Sequence, residues 1–375
     1  MISEIVIDDR LPVRKNIAIY MRSASYLEFW PALLEKAYAK AKGSYELLNR
    51  WLPIDGTIEL TGGVPERVRN LPSLLSSEDN GKAADRLFFD LVRASQLGNI
   101  ILVQAPRQVH PGDRHNKLRL EEAKQLGLEV KYVYRVTQVA NLGEGRQIIR
   151  VKNCSGPKAI HWIGAWHPDD TRWSQVNDGI RRELDAETFH DGGFWMAYGD
   201  FLKYFEDIDI CHISHDVDQD ITFHGRWEDG LNAGGVQKAD WKNFARNPQC
   251  FIRLSDPDPI DNQGRSAAVI SLMQRRQPDS RAKGMNKIGF RVYRVDETTE
   301  ELSAPFFSYR RNDGSHKPVA KTKTWVDGRE TNLRLRLSQG KYCIIPVRFS
   351  LHYSRKTTFF FKPAKKFLVH FYAGK

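Results

Sequence analysis

Apolar positions along this chain follow two patterns. In the first 213 residues, helical and strand-like periods alternate. Within Glu28–Lys40, Trp30, Leu33, Leu34, Ala37 and Tyr38 recur at i, i+3, i+4, i+7 and i+8, with Gly43 beyond them. That spacing predicts an amphipathic helix with those five residues on its buried face. Leu87, Phe88, Leu91 and Val92 repeat the pattern within Asp85–Leu97, before Gly98. Asn99–Gln104 is a short apolar run and predicts a buried strand. Val130, Tyr132, Tyr134 and Val136 alternate, and Gly143–Gly145 separates them from Gln147–Lys152, which predicts an antiparallel hairpin. Glu4–Asp9, an apolar run closed by acids, predicts a strand, and Thr61–Val64 and His110–Asn116 read as loops. After Asp216 the runs become short and regularly spaced: Cys250–Leu254, Ala267–Met273, Lys287–Val295, Thr331–Leu337, Tyr342–Val347, Thr357–Phe361 and Phe367–Tyr372. Period-two strands without a long helix predict an all-β sandwich.

Charge follows the same division. The 375 residues carry a net +11, yet residues 217–375 hold 29 Lys+Arg against 16 Asp+Glu while the rest is slightly acidic. A basic sandwich suits an acidic protein, an anionic lipid surface or a nucleic acid, unless it is merely a solvated basic surface. The strands carry neither an aromatic RNA-binding pattern nor a recognition helix, so no nucleic-acid partner is expected. No apolar run approaches the roughly 20 residues that span a bilayer. The start Met1-Ile-Ser-Glu4 lacks the basic and apolar stretches of a secretory signal. Cys154, Cys211, Cys250 and Cys343 are widely spaced and read as free thiols of a reducing compartment, so a soluble, cytoplasmic protein is expected.

Several ordered stretches together resemble the calpains, intracellular calcium-dependent cysteine proteases. They are EFWPALLEKAYAKAKGSYE (Glu28–Glu46), LTGGV (Leu60–Val64), WIGAWHPDDTRW (Trp162–Trp173), DGGFWMAYGDFLKYFEDIDICHI (Asp191–Ile213), GRWEDGLNAGG (Gly225–Gly235), NPQCFIRLSDPD (Asn247–Asp258), IGFRVYRV (Ile288–Val295) and LSQGKYCIIP (Leu337–Pro346). The resemblance implies an α+β chain: a papain-like protease subdomain, with an antiparallel sheet plus helices, followed by an all-β sandwich. Residues 1–63 are similar to the end of the first protease subdomain, 64–213 to the second, and 217–375 to calpain domain III. No EF-hand loop pattern is present.

By the same resemblance, the catalytic set is incomplete. A papain-type protease needs a thiolate, a His to take its proton and an Asn to orient that imidazole. The family's Cys belongs to sequence upstream of the Glu4–Asp9 run, and none of the four cysteines here sits in a comparable setting. The family's His strand GHAYSVT corresponds to Lys131–Thr137, which puts Tyr132 at the His position. A phenol of ordinary pKa about 10 is a poor proton shuttle at neutral pH. Asn153 matches the family's Asn, while the Pro and Trp that follow it in the family are Cys154 and Ser155. Without its imidazole partner, Asn153 is read as a hydrogen-bonding turn residue.

Calcium, the family's cofactor, needs six to eight oxygens. The resemblance places Glu35 at a first-subdomain ligand position and Asp191 and Asp169 (or Pro168) at second-subdomain ones, where His161 and Gly193 replace two glutamates. Weak calcium binding or none is expected. Cys211, His212, His215 and His224 lack a second ligand pair for structural zinc, and Trp162, Trp166, Trp173 and Trp195 read as core. Two outcomes stay open: a non-peptidase homologue acting as a binding or regulatory scaffold, or a truncated form of a calcium-dependent cysteine endopeptidase. An anionic phospholipid-binding role of the basic sandwich is compatible with the first. Protein partners, other calpains or their substrates among them, are expected. Trp30, Leu34 and Tyr38 are expected to leave an apolar patch unless a partner covers them.

Overall fold

The computed structural model of the chain describes residues 4–373 apart from 24, 26, 49–51, 77–80, 107–113, 131, 155–161, 187–191, 214–219, 237–240, 256–262, 275–285, 309–316, 323–325, 328–329, 350–356 and 363–367. Its contacts divide it into two compact units, Met1–Leu60 and Thr61–Lys375.

In the first unit a two-residue ladder joins β1 (Val13–Arg14) to β2 (Ile17–Ala18), followed by α1 (Trp30–Lys42), α2 (Tyr45–Leu48) and α3 (Pro53–Thr61). The expected strand over Glu4–Asp9 does not form. Its carbonyls are engaged by lysines of α1 instead: Lys40 Nζ donates to Val6 O at 2.5 Å, and Lys36 Nζ donates to Asp8 O at 3.0 Å and pairs with the Asp8 carboxylate. The buried face of α1 also differs from its periodicity. Ala32 and Ala39 are buried, as are Ile54 and Ile58 of α3, whereas Trp30 is 62% exposed and Leu34 is 38% exposed. Trp30 stands at the first helical position, and with Leu34 it forms part of the expected exposed apolar patch.

The second unit opens with β3 (Val64–Val68), then α4 (Lys82–Gln96), β4 (Ile100–Gln104), α5 (Arg114–Gln125), β5 (Val133–Asn141), β6 (Gln147–Asn153), α6 (Asp178–Glu183), β7 (Gly193–Ala197), α7 (Tyr198–Tyr204) and β8 (Asp207–His212). These strands form an antiparallel sheet in the order β3-β8-β4-β5-β6-β7. The pleat sends alternate residues to two cores. Ile149, Val151, Phe194 and Met196 join Phe88 and Leu91 of α4 and Phe201 of α7; Ile148 and Trp195 face Trp166 and Trp173 on the other side. All four tryptophans expected in the core are buried. The His110–Asn116 loop runs instead into helix α5, and its first half lies outside the described residues.

The rest is a two-sheet sandwich. It contains β9 (Asp220–Trp227), α8 (Trp241–Ala245), β10 (Cys250–Leu254), β11 (Arg265–Gln274), β12 (Lys287–Val295), α9 (Ala304–Ser308), β13 (Ala320–Lys321), β14 (Val326–Asp327), β15 (Glu330–Ser338), β16 (Gly340–Phe349), β17 (Thr357–Lys362) and β18 (Leu368–Ala373). One sheet runs β10-β16-β12-β13, with β14 also on β12, and the other runs β15-β11-β17-β9-β18. Val292 and Ile344 point between the sheets, where Ile252, Ile270 and Phe290 meet them. Their neighbours Tyr293 and Ile345 point outward onto Phe244 of α8 and Phe307 of α9. Burial on both faces explains why β16 reads as one continuous apolar run. The architecture is α+β, an antiparallel sheet with helices followed by a β-sandwich. Among the described residues no helix is long and apolar enough to cross a membrane.

Candidate functional site

Hydrogen bonding between β5 and β6 pairs Tyr134 with Asn153. This register places Asn153 one pleat from Tyr132, at the end of the sheet where the catalytic pair is expected. Asn153 is buried, and its Nδ2 donates to Glu129 Oε2 at 2.8 Å. The Tyr134 hydroxyl both accepts from Glu129 N and donates to Glu129 O, each at 3.0 Å. Burial pushes this phenol well above its ordinary range. The result is a pinned structural contact. Tyr132 is 37% exposed, and its carbonyl accepts from Ala105 N at 3.1 Å.

Cys154 continues the ladder through its N–H to Val133 O at 3.2 Å and lies at the surface. Packing around its sulfur pushes the thiol up, against the pull of Arg135 and Lys152. Burial likewise raises the thiols of Cys250 and Cys343. Cys211 is buried, with its Sγ 3.6 Å from Thr61 Oγ1. Raised thiols are poor nucleophiles, because the thiolate is the reactive form.

His212 belongs to a different centre, where the edge strands β3 and β15 meet. Glu66 of β3 is buried and accepts from Arg334 of β15 at both oxygens, each at 2.6 Å. His212 Nε2 donates to Glu66 Oε2 at 2.7 Å. Asn99 Oδ1 accepts from Ile213 N, so its Nδ2 faces His212 Nδ1 at 3.4 Å, which assigns the ring proton to Nε2. Arg334 also reaches Asp90 at 3.3 Å, with Arg336 3.7 Å from the same carboxylate. Alongside, Arg67 Nε donates to Asp209 Oδ1 at 2.6 Å and Arg67 N donates to Asn332 Oδ1 at 3.2 Å. Burial alone would raise Glu66; the Arg334 charge and the His212 and Arg334 hydrogen bonds outweigh it and hold the carboxyl far below its ordinary range. Covering both edges removes two strands otherwise open to further pairing. This network joins residues 268 positions apart and was not legible in the sequence.

Of the acidic candidate calcium positions, Glu35 and Asp169 lie among the described residues. Glu35, in the first unit, accepts from Met21 N at 2.7 Å. Asp169 is exposed, its N–H donating to His167 Nδ1 at 3.2 Å. Asp191 and His161 lie outside the described residues, as does His215. No group of three His, Cys, Asp or Glu side chains is arranged to hold a metal among the described residues. The structured acid here is Asp170: buried, it accepts from Trp166 N at 2.6 Å, Arg172 N at 3.0 Å and Arg172 Nη1 at 2.6 Å.

Comparison with known proteins identifies the family of the chain. The profile of the calpain family cysteine protease matches residues 1–212, and that of the calpain large subunit, domain III, matches residues 223–362. The chain belongs to the calpain family. It is 32% identical over 370 residues to Calpain-B of Drosophila melanogaster, covering 92% of this chain and 37% of that protein. It is 31% identical over 367 residues to human Calpain-9, covering 93% of this chain and 48% of that protein. The chain thus spans about half the length of these relatives or less. Among solved structures, the stem and receptor-binding domain of spike protein P1 from bacteriophage PM2 aligns with a TM-score of 0.18, at 16% identity over 44% of this chain and 60% of that one. That similarity is too low to bear on the fold.

Proposed function

We propose that this chain is a calpain-family protein without peptidase activity, acting as a binding or regulatory scaffold for protein partners such as other calpains or their substrates. The observation that carries this reading is the β5–β6 strand end. A half-exposed Tyr132 stands at the expected imidazole position, and the Asn153 amide is bonded to Glu129. A phenol there does not accept a proton from a thiol at neutral pH. The purified chain incubated with casein and calcium leaves the casein intact; calcium-dependent cleavage blocked by a thiol alkylator refutes the proposal.

A second reading, a truncated form of a calcium-dependent cysteine endopeptidase, is favoured by the 37–48% span of the relatives' length. Tyr132 weighs against it, because added N-terminal sequence leaves that residue unchanged. An in-frame stop immediately upstream of the Met1 codon excludes it; an in-frame extension encoding a catalytic Cys supports it. Within the scaffold reading, calcium binds weakly or not at all and the chain is cytoplasmic. Its basic sandwich docks on anionic phospholipid. Co-sedimentation of the full chain with phosphatidylserine vesicles, lost in high salt, supports the docking; equal pelleting on neutral vesicles counts against it.

A further inference from the structure

A second feature lies at the opposite end of the β5–β6 hairpin, about 25 Å along the strands from Asn153. Here the 143–145 turn, with Gly143, Glu144 and Gly145 all at positive φ, faces the Trp166–Gln175 segment and the start of α7 across a cleft of about 420 Å³. Two guanidinium groups line it. Arg172 is anchored by one nitrogen to Asp170, whose charge is already shared with two backbone N–H groups, and the Arg172 side chain is 54% exposed. Arg146 is held mainly by carbonyls, donating to Gly143 O at 3.3 Å and Leu142 O at 3.4 Å. These contacts orient it without neutralising it. Its acidic neighbour Glu144, 3.3 Å away, is 84% exposed and therefore a weak, screened partner. Gln147 and Gln175 also line the cleft, and their amides make no side-chain hydrogen bond among the described residues. Buried Trp166 and Tyr198 form apolar wall.

We propose that this cleft is a binding site for a compact oxyanion of the phosphate-monoester class, held by Arg146 and Arg172 and oriented by the Gln147 and Gln175 amides. The volume lies at the small end of ligand-pocket sizes. Forked guanidinium donors match tetrahedral or planar oxyanions in geometry as well as charge. The preset arginines keep the entropic cost of binding low. The site is independent of whether the chain cleaves peptides, since it shares no residue with the Tyr132–Asn153 end.

The test is isothermal titration of the full chain with inorganic phosphate, and separately with phosphoserine, at ionic strength fixed by chloride. Saturable one-to-one binding is expected. Tighter binding of phosphoserine identifies a phosphorylated side chain as the source, and tighter binding of free phosphate identifies the inorganic ion. Arg146→Gln and Arg172→Gln each weaken binding at least tenfold. Because Arg172→Gln also disturbs Asp170, Gln175→Glu supplies a second variant: it puts a carboxylate in the cleft without touching that contact. Lost binding with an unchanged melting temperature in the absence of phosphate is expected for it. No saturable binding by the wild-type chain, or equal binding by all three variants, overturns the proposal.

Discussion

Replacing Glu66 by Gln keeps the side chain's shape and removes the charge at the centre of the β3–β15 contact. Glu66 is buried and accepts three bonds of 2.6–2.7 Å, two from Arg334 and one from His212. Removing one partner of a buried ion pair costs about 3–5 kcal/mol, because the other charge remains desolvated. Arg334 keeps Asp90 at 3.3 Å, so the low end applies and a loss of about 3 kcal/mol is expected. The pH dependence has a definite sign. The Glu66 carboxyl is held below its ordinary range in the folded chain, so its contribution is fully present at neutral pH. It fades as pH falls below the ordinary Glu value of about 4.3 and the unfolded chain takes up the proton. Asp90 acts in the opposite sense. Burial, with Glu66 nearby, holds it above its ordinary range despite Arg334, so its ionised form lowers stability at neutral pH and acid relieves that cost. Asp90 is present in both proteins, so the wild-type-to-variant difference reports chiefly on Glu66. Urea unfolding followed by tryptophan fluorescence measures it, since Trp195 of β7 and Trp227 of β9 are both buried. A cycle with Arg334→Met is expected to give a coupling of about 2 kcal/mol. A loss below 1 kcal/mol, or a difference that stays constant from pH 7 to pH 4, refutes a stabilising role for the pair.

Tyr134→Phe leaves two Glu129 backbone groups without their phenol partner and lowers stability by about 1–2 kcal/mol, read as a shifted urea midpoint. Asp170→Ala removes a cap that holds Trp166 N and Arg172 N, costing about 1–2 kcal/mol and lowering the melting temperature. Gly234→Ala places a Cβ 1.8 Å from Asn243 O, so the α8 backbone must move; a loss of about 1–3 kcal/mol is expected, visible as reduced yield and melting temperature.

Local pattern carried the sandwich well. The seven apolar runs from Cys250 onward appear as strands within a few residues of their sequence limits, because pleated alternation and turn residues are short-range signals. Pattern failed where long side chains or small residues decided the packing. Glu4–Asp9 has strand composition, yet Lys36 and Lys40 take its carbonyls. In α1 the small residues Ala32 and Ala39 are the buried ones, while Trp30 and Leu34 stay exposed, as the expected apolar patch requires. Helix α5 was missed because its buried positions include Arg119, whose Nη2 pairs with Glu206 at 3.3 Å, so no apolar period marks it. At the candidate site, the residue types at 132 and 153 were legible. The Glu129 contact, the Glu66–Arg334 pair and the cleft at Arg172 were not, since each depends on strands and turns brought together by topology.

Alkylation of the native protein with iodoacetamide at pH 6, resolved cysteine by cysteine by mass spectrometry, decides whether this chain holds a working peptidase nucleophile. A papain-type nucleophile reacts there as a thiolate. Slow modification of surface Cys154, protection of buried Cys211, Cys250 and Cys343, and no change in casein are predicted. Rapid modification of any one cysteine at pH 6, accompanied by loss of a calcium-dependent casein cleavage, would contradict the scaffold proposal.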